Sequence, residues 1–447
     1  MKLDVKNIRY LSRDDWRVLT ATEQGSRNHE IVPTPLIASL AALGGGGVPK
    51  SISALAKTNL IARVKNARYD GYRLTYGGLD YLALHTHTKA GTVYSVGNQI
   101  GVGKESDIFV CAAPETGRQL VLKIHRLGRI SFRTVKANRD YLRNRAGGSW
   151  MYMSRLAAMK EFEFMKALRR EGFPVPEPVG QSRHTVVMSL VDAFPLRQIS
   201  RVGEPAALYG ELMGLIVRLA RYGLIHGDFN EFNILVEEKM DADDEDGPIT
   251  LIPTLIDFPQ MVSIDHVNAD FYFDRDVTCI KRYFSRRFGF TADEPGPFFK
   301  DSTKKLIKRL DVEVEASGFS RKMAKTLEAY MKEHGVDGDA GEAERSDDDD
   351  ADDAGENETG EGEGQDAQGH HHASEPLSPT PNPPTATTAL TPAALASQMT
   401  ILDIRDTDPL PDLSDMKPLP TSTAPPPSII STTTTTKSAK AKAGWSI

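Results

Sequence analysis

Apolar and polar positions along the chain fall into two patterns that change near residue 90. From Asp14 the chain sets Trp16, Val18 and Leu19 among polar neighbours as far as Gly25, which predicts a helix. Pro33 and Pro35 open a second helix over 36–43, and the glycines 44–47 make a flexible connection to a third over 50–58. Residues 60–64 and 72–75 read as strands. Asp70-Gly71 between them predicts the hairpin turn, since glycine accepts the positive φ such a turn needs. A last helix runs through Leu79, Tyr81, Leu82 and Leu84. Three helices and a hairpin make a winged-helix pattern. Lys50, Lys57, Arg63, Lys65, Arg68 and Arg73 gather on its third helix and hairpin, as a solvated charged face or as a nucleic-acid-facing one.

Beyond residue 94 the pattern alternates strands with one long helix. Residues 97–110 predict a strand, a glycine turn and a second strand, and 120–124 a third. Leu156, Met159, Phe162, Met165 and Leu168 recur every third residue and predict a helix over 154–170. A buried strand is expected at 186–190, a helix at 211–222, strands at 234–236 and 251–256, and helices at 275–288 and 321–332. Three domains result: a winged helix (1–90), a mixed α+β body (91–335) and a tail (336–447).

Composition sharpens this division. The formal net charge is −7, but residues 1–335 carry 48 Lys and Arg against 40 Asp and Glu, whereas the tail carries 6 against 21. A body of net +8 is joined to a tail of net −15. The tail has 13 of the 27 prolines and, among aromatics, Trp445 alone, so it is expected to be disordered. Its His370–372 run reads as low-complexity drift. Within the body, 123–145 holds eight cations (Lys123, Arg126, Arg129, Arg133, Lys136, Arg139, Arg143, Arg145) and one acid, Asp140. Only Cys111 and Cys279 occur, which excludes a disulfide framework and fits a reducing compartment. No apolar run reaches membrane-spanning length and no signal-like start is present, so a soluble intracellular protein is expected.

Three local patterns carry candidate chemistry. Gly101-Val-Gly103-Lys104-Glu105-Ser106-Asp107 sits between two predicted strands. Its glycines would admit a phosphate to the backbone N–H groups, and Ser106 would add a hydroxyl; alone it equally suits an ordinary hairpin turn. Lys123 lies inside an apolar strand and, if buried, needs a partner or ligand, for which Glu161 or Glu163 on the next helix would serve; taken alone it equally suits an edge-strand lysine whose stem snorkels to water. Leu224-Ile-His226-Gly-Asp228-Phe-Asn-Glu-Phe-Asn233 is followed 24 residues later by Asp257 at the end of another strand. A carboxylate to orient or deprotonate an acceptor, with an Asn and a second Asp for magnesium, are the parts phosphoryl transfer needs.

On GVGKESD, LKIHRLGRISFR, LIHGDFNEFNILV, IDFPQMVS and FDRDV, with RYLSRDDWRVLTA and NHEIVP upstream, the sequence resembles the RIO family of atypical serine/threonine protein kinases, in its second, winged-helix subfamily, over about residues 8–320. The resemblance implies a winged helix before a compact bilobal kinase-like domain. It implies ATP and Mg2+ as cofactors, with Gly101, Gly103, Lys104, Ser106, Lys123, Glu161 and the hinge positions Met188 and Leu190 at the nucleotide. It further implies Asp228 as catalytic aspartate, Asn233 and Asp257 as magnesium ligands, and Asp257 as a transient phosphoryl acceptor, hence an ATPase-like switch. Implied partners are the small-ribosomal-subunit precursor, its rRNA and other assembly factors, with no membrane, in the cytoplasm with shuttling through the nucleus. The family commonly has Glu where Ser189 stands, although adenine contacts at such a hinge use backbone groups. A small-molecule phosphotransferase and a non-catalytic RNA-binding scaffold remain the alternatives at this point.

Overall fold

A computed structural model describes residues 3–44, 46–65, 70–127, 150–239, 250–333 and 400–401. Helix α1 (Arg13–Gly25) starts at a reciprocal cap in which the Ser12 hydroxyl accepts from the Asp15 N–H and the Asp15 carboxylate accepts from the Ser12 N–H. After β1 (Val32–Pro33), helix α2 (Thr34–Ala41) begins two residues before the expected start, because Pro35 fits its first turn. Helix α3 (Gly47–Lys57) takes in Gly47 and Pro49, which the sequence reading had left partly in the glycine connection. Strands β2 (Ile61–Val64) and β3 (Gly71–Leu74) pair antiparallel, and helix α4 (Tyr76–Lys89) follows under a Thr75 cap.

The hairpin turn corrects the sequence reading. Gly71 is already inside β3, opposite Val64, and its φ is not positive, so the connection is residues 65–70 and the glycine does not supply the turn conformation expected of it. The glycine is needed for close approach instead. β1 pairs with β3 on its other side, and a Cβ at Gly71 would stand 2.6 Å from the Val32 carbonyl oxygen.

The second sheet runs in the order β14-β4-β5-β6-β8-β7. Its strands are β4 (Ser95–Val102), β5 (Ser106–Ala112), β6 (Gln119–His125), β7 (Pro178–Ser182), β8 (Thr185–Ser189) and β14 (Thr400–Ile401). Period-2 alternation decides what each strand does. On β6, Leu120, Leu122 and Ile124 join Phe109 and Cys111 of β5 in one apolar cluster with Trp16, Leu19, Ile52 and Leu82 of the winged helix. The winged helix and this sheet therefore share a continuous core. Val121 faces the other way, onto the cluster that includes helix α5 (Trp150–Arg170), as does Lys123.

Below the sheet, β9 (Phe194–Pro195) and helix α6 (Pro205–Arg221) lead to the short strand β10 (Leu224–Ile225). The antiparallel pair β11 (Ile234–Lys239) and β12 (Thr250–Leu255) follows, then β13 (Val262–Ser263) against β10. Helices α7 (Ala269–Phe288), α8 (Phe299–Ser302), α9 (Leu310–Ala316) and α10 (Arg321–Glu333) complete the body. Helix α6 starts six residues before the expected point, at the Pro205 start signal. Helix α7 also starts early, because Phe271 in its first turn is exposed and hides the apolar period.

Of the tail expected to lack order, the described residues are Thr400 and Ile401, which pair antiparallel with Val96 and Ser95 at the edge of the sheet. The rest of the tail, Arg68 and the cations 129–145 lie outside the described residues. Cys111 and Cys279 are both free. Among the described residues no helix is long and apolar enough to cross a membrane.

Candidate active site

The site is assembled from the cleft-facing side of the sheet and from the loops after β10 and β12. Lys123 Nζ donates to Glu161 Oε1 at 2.7 Å and to Asp257 Oδ1 at 2.9 Å. Its side chain is only 8% exposed, so the two carboxylates replace the water an ammonium would otherwise keep. Burial disfavours the charged lysine, but Asp257 and Glu161 outweigh burial and its pKa is raised. Of the two glutamates considered, Glu161 is the partner; Glu163 pairs with Lys166 one turn along the same helix. His125 Nε2 lies 2.7 Å from the second Glu161 oxygen, off hydrogen-bond angle. One carboxylate thus faces two side chains of β6.

The glycine turn lies in the same sheet. Gly101 is opposite Ile108, and Ile108 is opposite Lys123, so two strand spacings, about 10 Å, separate Gly101 from Lys123. The turn is closed by Gly103 N–H donating to Ser106 O at 2.7 Å. Neither Gly101 nor Gly103 has a positive φ, so their use here is lack of bulk and not backbone conformation. Lys104 is exposed at the tip and Ser106 is half-buried. On the other side of β6, Met188 of β8 is packed in the core and Leu190 is half-buried just beyond that strand. Ser189 holds the hinge to its neighbour: its N–H donates to Glu177 O and its hydroxyl accepts from Glu177 N–H, both at 2.9 Å.

Asp228 is fixed by two amides. Asn230 Nδ2 donates to Oδ1 and Asn233 Nδ2 to Oδ2, each at 2.7 Å. Burial first and the Asp257 charge second push the Asp228 carboxyl up to about 6, against these hydrogen bonds. Asp257 goes the other way: Lys123 overrides burial and holds it below the usual carboxylate range. Its side chain remains 43% exposed. Its φ of 70° is a left-handed conformation that few non-glycine residues adopt. The loops are tied together where Ile256 N–H donates to Asn233 O at 3.0 Å.

Four contributors escaped the sequence reading. Asn230 and His125 lie inside the motifs that were read. Arg275 and Asp276 lie in the FDRDV stretch, to which no role was given. Asp276 is buried and accepts from the backbone N–H of Gly227 at 2.9 Å and of Phe229 at 3.0 Å, while Arg275 donates to the Gly227 carbonyl. Burial pushes Asp276 up to about 7 despite both hydrogen bonds. His226 is buried and lowered to about 4, chiefly by burial.

The donor set suits magnesium. With its Nδ2 on Asp228, Asn233 keeps an amide oxygen, and Asp257 supplies an ionised carboxylate. Mg2+ takes one or two such hard protein oxygens and fills its shell with phosphates and water. Among the described residues no cluster of three or more His, Cys, Asp or Glu side chains forms a metal cage, which this mode of binding does not need. A buried lysine, two hard oxygen donors and two carboxylates shifted in opposite directions are the side chains that phosphoryl transfer calls for.

Comparison with known proteins places the chain in a family. The family described as "RIO domain" matches residues 107–295, and "Rio2, N-terminal" matches residues 8–90. Serine/threonine-protein kinase rio2 of Schizosaccharomyces pombe is 55% identical over 334 residues, 74% of this chain and 93% of that protein. Its Saccharomyces cerevisiae counterpart is 49% identical over 340 residues, 72% of this chain and 78% of that one. The crystal structure of the Rio2 kinase–ADP/Mg2+–phosphoaspartate complex from Chaetomium thermophilum is 67% identical, with a TM-score of 0.69, covering 75% of this chain and 99% of that one.

Proposed function

The chain belongs to the RIO family of serine/threonine kinases, in its Rio2 branch, and from that premise we propose that it works as an ATP- and Mg2+-dependent switch that phosphorylates its own Asp257. The observation that carries this reading is Asp257 itself, ionised, 43% exposed and held 2.9 Å from Lys123. A phosphoaspartate has been captured in the relative from Chaetomium thermophilum.

Lys123, oriented by Glu161, holds phosphate oxygens of ATP. Asn233 and Asp257 would hold magnesium, which would supply neutralisation of charge on those oxygens. A carboxylate oxygen of Asp257 attacks the γ-phosphorus. The bond to the β–γ bridging oxygen breaks and ADP leaves with the electron pair. Water later attacks the acyl phosphate, Asp228 takes its proton, and inorganic phosphate leaves as the Asp257 carboxylate is restored.

We further infer a role in maturation of the small-ribosomal-subunit precursor in the cytoplasm, with rRNA and assembly factors as partners. The support is the family and a row of exposed cations, Lys50, Lys57, Lys65 and Arg73, on α3 and the hairpin of the winged helix. Charges so placed suit a phosphate backbone and give a salt-dependent attachment.

Incubation with γ-labelled ATP and Mg2+ tests the central claim. A hydroxylamine-labile phosphoenzyme, lost in Asp257→Asn, is expected; label confined to serine and threonine would sink it. ATP turnover with and without purified small-subunit precursors tests the partner, since a particle that leaves turnover unchanged and does not bind is not one.

A further inference from the structure

The other face of β6 carries a second charged assembly, outside the nucleotide site. Arg126, the residue after this strand, points where Leu120, Leu122 and Ile124 point, towards the winged helix. Its guanidinium forms a fork on Asp80 of α4, with Nη1 to Oδ1 at 2.8 Å and Nη2 to Oδ2 at 2.7 Å. Its Nε donates to Asp107 Oδ2 at 3.2 Å, and its backbone N–H donates to the Glu105 carbonyl at 2.5 Å. Gln99 of β4 donates to the other Asp107 oxygen at 3.2 Å. His184 Nε2 lies 2.8 Å from Asp80 Oδ1. Asp80, Asp107, Arg126 and His184 are all at most 3% exposed.

Glu105 and Asp107 flank Ser106, so one arginine grips the glycine turn on both sides of its hydroxyl residue. The same side chain ends on a helix of another domain. A buried guanidinium shared by two carboxylates has few alternative positions, because moving it strands a charge away from water. We propose that Asp80, acting through Arg126 and Asp107, is a positioning residue of the nucleotide site, so that the winged helix sets the geometry of the phosphate turn. Coupling of this kind is reciprocal: nucleotide on the turn changes how firmly α4 is held. The proposal rests on the reading of 101–106 as the phosphate cradle.

The interface has a built-in control. Arg183 forks onto Glu23 of α1, both contacts at 2.7 Å, and also joins the winged helix to the sheet, but neither residue touches the glycine turn. Asp80→Asn and Arg126→Lys are expected to raise the KM for ATP about tenfold with kcat changed far less, and Glu23→Gln to leave KM unchanged. If all three move KM alike, or none does, the network is only glue between domains and the proposal fails. A measurement on the unaltered chain covers a variant that does not fold. ADP with Mg2+ should slow amide hydrogen exchange at 101–107 and also along α4. Protection confined to the turn overturns the coupling; no protection at the turn overturns the cradle reading along with it.

Discussion

The Lys123 ammonium lies 2.9 Å from the Asp257 carboxylate, joining a strand of the upper sheet to a loop of the lower half across the cleft. The same ammonium is 2.7 Å from Glu161, so a single lysine holds two carboxylates, the buried one on the helix and the half-exposed one that the proposed switch phosphorylates. Replacing Lys123 by Met should reduce ATP turnover at least 100-fold. It should also cost roughly 3–5 kcal/mol of stability, because Glu161 then lies buried without its cation. The Lys123→Met/Glu161→Leu double variant should recover part of that stability but none of the activity, which chemical denaturation and turnover assays separate.

Asp228 gives the pH dependence. With its carboxyl raised to about 6, kcat/KM should be flat near pH 7.5 and fall as the pH drops through 6 and the base is protonated. Asp276, raised to about 7, bears on stability. Its contribution is greatest below the ordinary carboxylate pKa and is lost as pH rises towards 7. The melting temperature of the native chain relative to Asp276→Asn should therefore decline between about pH 4 and pH 7. A constant difference would remove Asp276 from this account.

Metal dependence should be complete and adjustable. Chelation of Mg2+ should abolish turnover. The Asn233→Ala variant should turn over ATP only at higher Mg2+, because one of the two hard protein oxygens is gone. A titration of activity against Mg2+ reads the shift.

The φ of 70° at Asp257 separates two substitutions that look equivalent. Asparagine tolerates the left-handed region and alanine does not, so Asp257→Ala should lose roughly 1–2 kcal/mol more than Asp257→Asn, while both lose the phosphoenzyme. Paired denaturation curves decide it.

Gly71→Ala should destabilise the winged helix by roughly 1–3 kcal/mol, since its Cβ would meet the Val32 carbonyl. Thermal melting is the readout, and unchanged melting would mean that β1 yields at little cost.

Residue type and spacing made the site largely readable. A lysine in an apolar strand demands a partner, and a glutamate at the right depth of the next helix answers it. Asp228 and Asn233 stand five apart in one loop, so their meeting is local. What escaped notice depends on approach from a distance. Asp276 is 49 residues from Gly227, and nothing near it in the sequence marks it as the acceptor for that backbone. Asp80 sits among the apolar residues of α4 and reads as an ordinary helix carboxylate until Arg126, 46 residues on, arrives. Gly71 was read for a turn because the dipeptide favours one, whereas the demand comes from β1, which is too short to announce itself.

Gly227 bears on how such a site could change by descent. Ordinary protein kinases carry arginine between the histidine and the catalytic aspartate, where it can receive a phosphate placed on the activation segment. Here that position has a φ of 77°, and a Cβ would stand 2.8 Å from the Gln260 carbonyl. Any side chain meets both obstacles at once, so one substitution cannot install the phosphate receiver. An arginine there would need this loop and the segment that carries Gln260 to move together, so the position is closed to the phosphate-receiving role that it has in ordinary protein kinases.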